Sequence, residues 1–469
     1  MKRSLACFLL LLVIAVGGSA AVFSQIFSKR DQVEITQETV FGDPAAAEGL
    51  TVTIPAGYRD QLFWETTCNL GEKTGADSSY VFFQTAQQAE ETPREPYLQL
   101  STQLYMGYRE NSGEDGISQA YRELFEDTQP GTESERIIFL RDYYEYYPLS
   151  LEYQLVSSSD FSDLLMQEEY EMGAYDGEPK RLFSAFAAYF RIPVLEEETL
   201  RISIGKDSGG RIASTGSGST DDDNFAMYTV SAVRGNECYF AFDAHTYEGN
   251  LVDVSQISGG FGIYRMTFRD LQGQDFGVGL ESLETVYRLD PQAAILGLTL
   301  SEDESRLLLH TREGSDYVVT GIDLASMQPV QRAVAKNVIV PNGGFSFFEE
   351  DGFFVVVTDH LSVFTLEENG ECSLALCVPI DYEKTNPTFL VNSTRMAFDG
   401  ERLAVCDYLT DAGTFGPDFD VFVYDETGLV YDGRYHSSLS LGGVEGNNDS
   451  LIRSTNQFSI TVEWKQNEG

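Results

Sequence analysis

Three aspartates, Asp303, Asp351 and Asp399, stand 48 residues apart, and each opens a tight turn followed by an apolar strand. The segments run Asp303-Glu304-Ser305-Arg306-Leu307-Leu308-Leu309, Asp351-Gly352-Phe353-Phe354-Val355-Val356-Val357 and Asp399-Gly400-Glu401-Arg402-Leu403-Ala404-Val405. A fixed period of this length marks one supersecondary unit built several times over, because a single copy cannot bury its apolar faces alone. Further strands follow at Tyr317 to Leu324, Leu361 to Leu366 and Val421 to Tyr424. Polar turns close them at Ala325-Ser326, Glu367-Glu368-Asn369-Gly370 and Asp425-Glu426-Thr427-Gly428. Four short strands per unit, rich in Val, Phe, Leu and Tyr and separated by Asp-Gly or Asn-Gly turns, predict an all-β chain of antiparallel sheets.

Units of this size and strand number are what a β-propeller blade requires. The turn Ser301-Glu302-Asp303-Glu304-Ser305-Arg306-Leu307 resembles the Ser-x-Asp-x-x-x-Leu turn of WD-repeat and YVTN-type propellers. The Gly-His and Trp-Asp dipeptides of true WD repeats are absent, so the resemblance is to the architecture. The whole chain looks like the membrane-anchored propeller-like proteins of bacterial envelopes, a resemblance that implies no activity. Clear repeats cover residues 292–440, and the 439 residues after position 30 hold about nine uninterrupted units of this period. Six to eight four-stranded blades with insertions are therefore expected.

Upstream, Gly235-Asn236-Glu237-Cys238-Tyr239-Phe240-Ala241-Phe242 has the same turn and strand, with Gly262-Ile263-Tyr264-Arg265-Met266 as its partner. Its distance to Asp303 is 68 residues, which predicts an insertion at Asp253 to Gly260. Other strands are predicted at Leu50 to Ile54, Gln61 to Leu70, Tyr80 to Gln84, Tyr97 to Tyr105, Ile137 to Tyr147 and Leu182 to Ile192. Ile117, Ala120, Tyr121, Leu124 and Phe125 recur at helical spacing and predict a short amphipathic helix inserted between strands. Ser214 to Asn224 reads as a flexible acidic loop or linker. The expected organisation is a membrane segment at 1–30, a β-rich part with the helical insertion at 31–135, and propeller blades at 136–469.

Met1-Lys2-Arg3 is followed by an uncharged run from Ser4 to Phe27, long enough as a helix to cross a ~30 Å hydrocarbon core. Gly18-Ser19-Ala20 offers a cleavage site, yet apolar character resumes through Val22, Phe23, Ile26 and Phe27, which favours an uncleaved anchor over a signal peptide. The expected placement is single-pass in the cell membrane with an extracytoplasmic C-terminal domain. Beyond residue 30 there are 27 basic and 74 acidic residues, a formal charge of about −47, which excludes nucleic acid and anionic lipid surfaces as partners. Five cysteines remain there, Cys68, Cys238, Cys372, Cys377 and Cys406, an odd number that argues against a disulfide scaffold and for free, buried thiols.

Asp207-Ser208-Gly209-Gly210 is similar to the nucleophile motif of chymotrypsin-like proteases, but Lys206 replaces its leading glycine. All four histidines, His245, His310, His360 and His436, follow Ser208, against that family's order, so a β-turn is expected. Counted from the period-setting aspartates, His310 falls at +7, Asp359 and His360 at +8 and +9, and Asp407 at +8. Equivalent positions of adjacent blades gather on one face, so these four residues form a candidate divalent metal site. Tyr143-Tyr144-Glu145-Tyr146-Tyr147 reads as a buried blade strand, with a carbohydrate platform as the other use of its rings. Asp221-Asp222-Asp223 reads as a solvated charge run, lacking the spaced ligands of a calcium loop.

No nucleophile with a paired base is visible, so the expectation is a binding or assembly module of the envelope, not an enzyme. Its expected partners are the membrane, through the N-terminal helix, and a protein or envelope glycan. The alternative is a metal-dependent, lactonase-like propeller hydrolase with its site at the central channel.

Overall fold

Each period-setting aspartate precedes the second strand of a four-stranded antiparallel meander. The first meander is Ala294–Leu300, Arg306–Glu313, Asp316–Asp323 and Gln328–Ala335. The second is Ser346–Glu350, Phe353–Val357, His360–Leu366 and Cys372–Pro379, and the third is Arg395–Phe398, Leu403–Asp411, Thr414–Asp425 and Gly428–Ser437. These are blades of the propeller type, joined in chain order without crossovers. The computed structural model describes residues 11–21, 24, 34–58, 62–71, 74–82, 97–102, 116–154, 185–220, 223–268, 280–339, 346–350, 352–381, 395–411, 414–438 and 461–465.

The turn chemistry explains why aspartate recurs. Asp399 Oδ1 accepts from the Glu401 and Arg402 amides at 3.0 and 2.6 Å, and Asp303 Oδ1 accepts from the Ser305 amide at 2.9 Å. Asp351 lies outside the described residues. The residue after each aspartate turns left-handed, with φ of +52° at Glu304, +81° at Gly352 and +100° at Gly400. Two of the three repeats therefore place glycine where a Cβ is disfavoured, and the third holds a glutamate in the same conformation.

A fourth meander, Thr229–Arg234, Glu237–Phe242, Gly262–Phe268 and Leu280–Arg288, carries its predicted insertion between the second and third strands, at residues 243–261. A fifth joins Leu50–Tyr58, Leu62–Asn69 and Gly75–Phe82 to Thr461–Trp464 from the far end of the sequence, with Val52 opposite Val462. Ile35–Gly42 likewise adds a fifth strand beside Gly428–Ser437. Five meanders of this kind occur among the described residues, one of them with five strands.

The chain divides into two compact units. One comprises Met1–Thr92, Phe345–Thr365 and Leu374–Gly469; the other comprises Pro93–Gly344 and Leu366–Ser373. In the first unit, the sheet ending at Gly428–Ser437 is covered on both faces. Leu403, Val405, Phe422 and Tyr424 pack with Val355, Val363 and Leu376, while Ala404, Cys406, Val421 and Val423 pack with Val52, Ile54 and Cys68. Strict alternation thus feeds two cores, which is why these strands read as unbroken apolar runs. Trp464 anchors the C-terminal strand, its Nε1 donating to the Ala397 carbonyl at 3.1 Å beneath the Arg402 guanidinium.

In the second unit, the aromatic cluster Phe186, Phe190, Phe240, Phe242 and Tyr264 forms the centre of one core. A separate core lies where the predicted helix, Ile117–Asp127, covers one face of a three-stranded sheet, Glu133–Phe139, Thr199–Lys206 and Ile212–Ser219.

Four sequence expectations are corrected here. Ser214 to Asn224 is not a linker: Ile212–Ser219 is a strand paired from Ser219 opposite Leu200 to Ile212 opposite Lys206. Its glycines and serines suffice because the Tyr121 hydroxyl donates to the Gly216 carbonyl and the apolar burial comes from the neighbouring strand. The strand predicted over Ile137 to Tyr147 ends at Phe139, and a short 3-10 turn follows at Leu140–Asp142. The tyrosines instead satisfy polar groups: Tyr144 Oη accepts from the Ile117 amide at 2.9 Å, and Tyr147 donates to buried Glu198 while accepting from the Leu195 amide. Residues 185–189, within the strand predicted over Leu182 to Ile192, are helical, which places Phe186 and Phe190 four apart on one buried face. Cys377 is exposed, since its strand turns Leu376 and Val378 inward; the other four thiols are buried, and all five are free.

Residues 11–21 are helical, and the rest of the predicted membrane segment, apart from Ser24, lies outside the described residues. Among the described residues no helix is long and apolar enough to cross a membrane.

Candidate functional site

The second unit contains a cleft of about 630 Å³ where strand Leu280–Arg288 passes through a short link into the 294–335 blade. The link is a tight turn: Asp290 Oδ1 accepts from the Gln292 amide and the Asp290 carbonyl from the Ala293 amide, both at 3.0 Å. Alternation along Arg306–Glu313 points Leu309, Thr311 and Glu313 to one face, and cross-strand register sets Thr320 and then Arg332 beside Leu309. Arg288, Tyr287 and Gln292 line the other side.

The charges of this cleft are unequally engaged. Arg332 pairs with Glu313 at 2.5 Å, and Asp290 is held by its turn. Arg288, which is exposed, makes no hydrogen bond or ion pair among the described residues. The side chains of Gln292 and Thr320 also make none, whereas the Gln331 amide is occupied by Arg306 and the Cys372 carbonyl. Thr311 is 3% exposed, and its hydroxyl has no hydrogen-bond partner. An unmet buried hydroxyl costs roughly 1–3 kcal/mol, so the scaffold carries a destabilising polar atom in the cleft wall.

Of the predicted metal residues, His310, His360 and Asp407 stand in three different sheets, and Asp359 lies in the bend before His360. His310 is buried, with its Nδ1 hydrogen-bonded to the Tyr317 hydroxyl at 2.9 Å, and burial pulls its pKa down to about 4, so the ring is neutral at pH 7. Asp359 and His360 are brought together, Oδ1 to Nδ1, at 2.8 Å. Asp407 is buried opposite Asp420, whose Oδ1 meets Arg434 Nε at 3.2 Å. Among the described residues no group of three or more His, Cys, Asp or Glu side chains is placed to hold a metal ion.

Two smaller expectations are answered as well. Asp207 Oδ1 accepts from the Gly209 and Arg211 amides, so the Asp207-Ser208-Gly209-Gly210 segment is a β-turn. Asp223 departs from a solvated charge run, because it braces residues 246–250 through the Glu248 amide at 3.1 Å and Asn250 Nδ2 at 2.7 Å; Asp221 and Asp222 lie outside the described residues. Sequence reasoning missed the cleft altogether. Its residues come from the end of one blade and the middle of the next, and no motif joins Arg288 to Thr311 and Arg332.

No protein-family model and no curated protein matches this chain. Among solved structures, a Lactobacillus plantarum protein is similar at 10% identity and a TM-score of 0.25, covering 82% of this chain and 98% of its own. Apo AztD from Citrobacter koseri is similar at 11% identity and a TM-score of 0.25, covering 67% and 72%. The β-propeller domain of Cps50 (Swd1) from Myceliophteria thermophila is similar at 10% identity and a TM-score of 0.21, covering 52% and 86%.

Proposed function

We propose that the chain is a binding module of the cell envelope, displayed outside the membrane by the segment that precedes residue 31. The cleft beside residues 289–293 carries this reading. It is preformed, falls within the ~300–1,000 Å³ range of small-ligand sites, and keeps the Arg288, Gln292 and Thr320 side chains unengaged in its lining. Its lining has no serine, cysteine or histidine, so it is suited to holding a ligand rather than attacking one. The uncharged run from Ser4 to Phe27 supports attachment, and the strongly acidic surface disfavours nucleic acid.

The test is fractionation of cells producing the full-length chain, followed by thermal unfolding of the extracted protein with an envelope-glycan panel and with calcium, zinc, manganese and chelator. Sedimentation with membranes and a glycan-specific rise in Tm are expected. A ligand at ~100 times its Kd stabilises by about 2.7 kcal/mol, well within detection. A metal-specific rise reversed by chelator would replace the binding module with metal chemistry, and a wholly soluble chain would remove the anchor.

A further inference from the structure

We infer that the cleft recognises an acidic sugar, with Arg288 as the group that reads its carboxylate. This rests on the binding reading above and names the ligand class of the same site.

Of the four charged side chains in the lining, Arg332 and Glu313 neutralise each other, while Asp290 keeps its charge and is fixed in its turn by the Gln292 backbone amide. That leaves a single guanidinium, Arg288, whose planar donors match a carboxylate in bidentate geometry. Carboxylates abound in a chain with 74 acidic and 31 basic residues, yet among the described residues none pairs with Arg288. Within the cleft lining, one guanidinium without an ion pair against a strongly negative background suits a monoanion; a polyanion would meet net repulsion from the rest of the surface.

The remaining surface defines the rest of the ligand. The Gln292 side-chain carboxamide and the Thr320 hydroxyl offer donors and acceptors with no protein partner, which is what a hydroxyl-bearing ring needs. Tyr287, Leu309 and Pro329 provide apolar contact, and an aromatic ring accepts the C–H face of a sugar as readily as a core neighbour. A uronic acid combines these properties: one carboxylate, several hydroxyls and an apolar ring face.

The experiment is calorimetric titration of the full-length protein in detergent with sodium D-glucuronate, D-glucose, inorganic phosphate and acetylated glycine, at low and high salt. Variants Arg288→Ala, Arg288→Lys and Thr320→Val follow, each first checked for an unchanged Tm. The expected result is glucuronate binding at least about tenfold tighter than glucose, a difference of ~1.4 kcal/mol. Arg288→Ala should abolish that preference, Arg288→Lys should retain part of it, and Thr320→Val should weaken both sugars alike. High salt should narrow the gap. Equal binding of glucose and glucuronate, or an Arg288→Ala variant that keeps the preference, would overturn the carboxylate assignment while leaving the binding module intact. Acetylated glycine binding as tightly as glucuronate would overturn the sugar and leave the carboxylate. No heat with any probe, alongside a Tm shift from another glycan of the panel, would overturn this inference alone; no response to either set would take the binding reading with it.

Discussion

The sheet from Arg395–Phe398 to Gly428–Ser437 and the sheet of Glu133–Phe139, Thr199–Lys206 and Ile212–Ser219 are both antiparallel, yet they are stabilised differently. In the first, successive residues such as Ala404, Val405 and Cys406 enter alternate cores, so the doubly covered stretch from Leu403 to Cys406 is apolar at every position. In the second, Leu200, Ile202 and Ile204 pack beneath a helix while Arg201, Ile137 and Phe139 face outward, and the edge strand is largely glycine, serine and threonine. Two buried faces produce a legible repeat; one buried face allows the alternate positions to drift until the strand resembles a linker.

The largest expected effects separate the two kinds of burial. Phe419 is fully buried and stacked on Tyr435 at 4.9 Å, and Phe419→Ala should cost about 3–5 kcal/mol in urea unfolding. Ile202→Ala should cost about 2–5 kcal/mol, but hydrogen exchange should rise only in residues 117–127, 133–139 and 199–219. Uniform exchange across the blades in Ile202→Ala would break the distinction.

Doubly covered strands also trap ionisable groups, with effects of up to about 3 kcal/mol. His310, held near pKa 4 by burial, must stay neutral in the fold although it protonates near 6.5 when unfolded. Its contribution is therefore complete above pH 6.5 and lost as pH falls toward 4, and His310→Gln should flatten that slope. Asp432 has the opposite sign, because burial first and Asp420 second raise it to about 6. It is destabilising once ionised, so Asp432→Asn should raise Tm at pH 7.5 and leave it unchanged at pH 3.5. Identical pH profiles for wild type and both variants would show that neither group is linked to folding.

Turns contribute less. Removing the cap in Asp399→Ala frees two amides and an ion pair with Arg402, for a loss of about 1 kcal/mol. Glu304→Gly should be neutral or stabilising by up to about 1 kcal/mol, since it places glycine at the left-handed position that Gly352 and Gly400 occupy in the other repeats. A clear drop in Tm for Glu304→Gly would mean that its ion pair with Arg234, at 3.5 Å, outweighs the backbone term.

Much of the blade structure was legible because its cause is local. The 48-residue period, the Asp-Gly turns and the strands at Tyr317 to Leu324 and Leu361 to Leu366 follow from turn chemistry and alternation within a few residues. The amphipathic helix was legible from the spacing of Ile117, Ala120, Tyr121 and Leu124, all buried on one face. The tyrosine run misled, since a polar tip can end a strand by finding one partner, as Tyr144 does with the Ile117 amide. For the site, the adjacent Asp359 and His360 do meet, but the cleft had no sequence signature.

The sequence by itself determined the repeating meander, the placement of its turns and the acidic surface, because each depends on neighbours in the chain or on composition. Tertiary structure alone decided that Thr461–Trp464 completes the Leu50–Tyr58 sheet, that the Ser-Gly run is a strand, and that Arg288, Thr311 and Arg332 share a cleft. Those outcomes depend on which apolar faces meet across long stretches of chain, and burial energy is proportional to shared area rather than to distance in sequence.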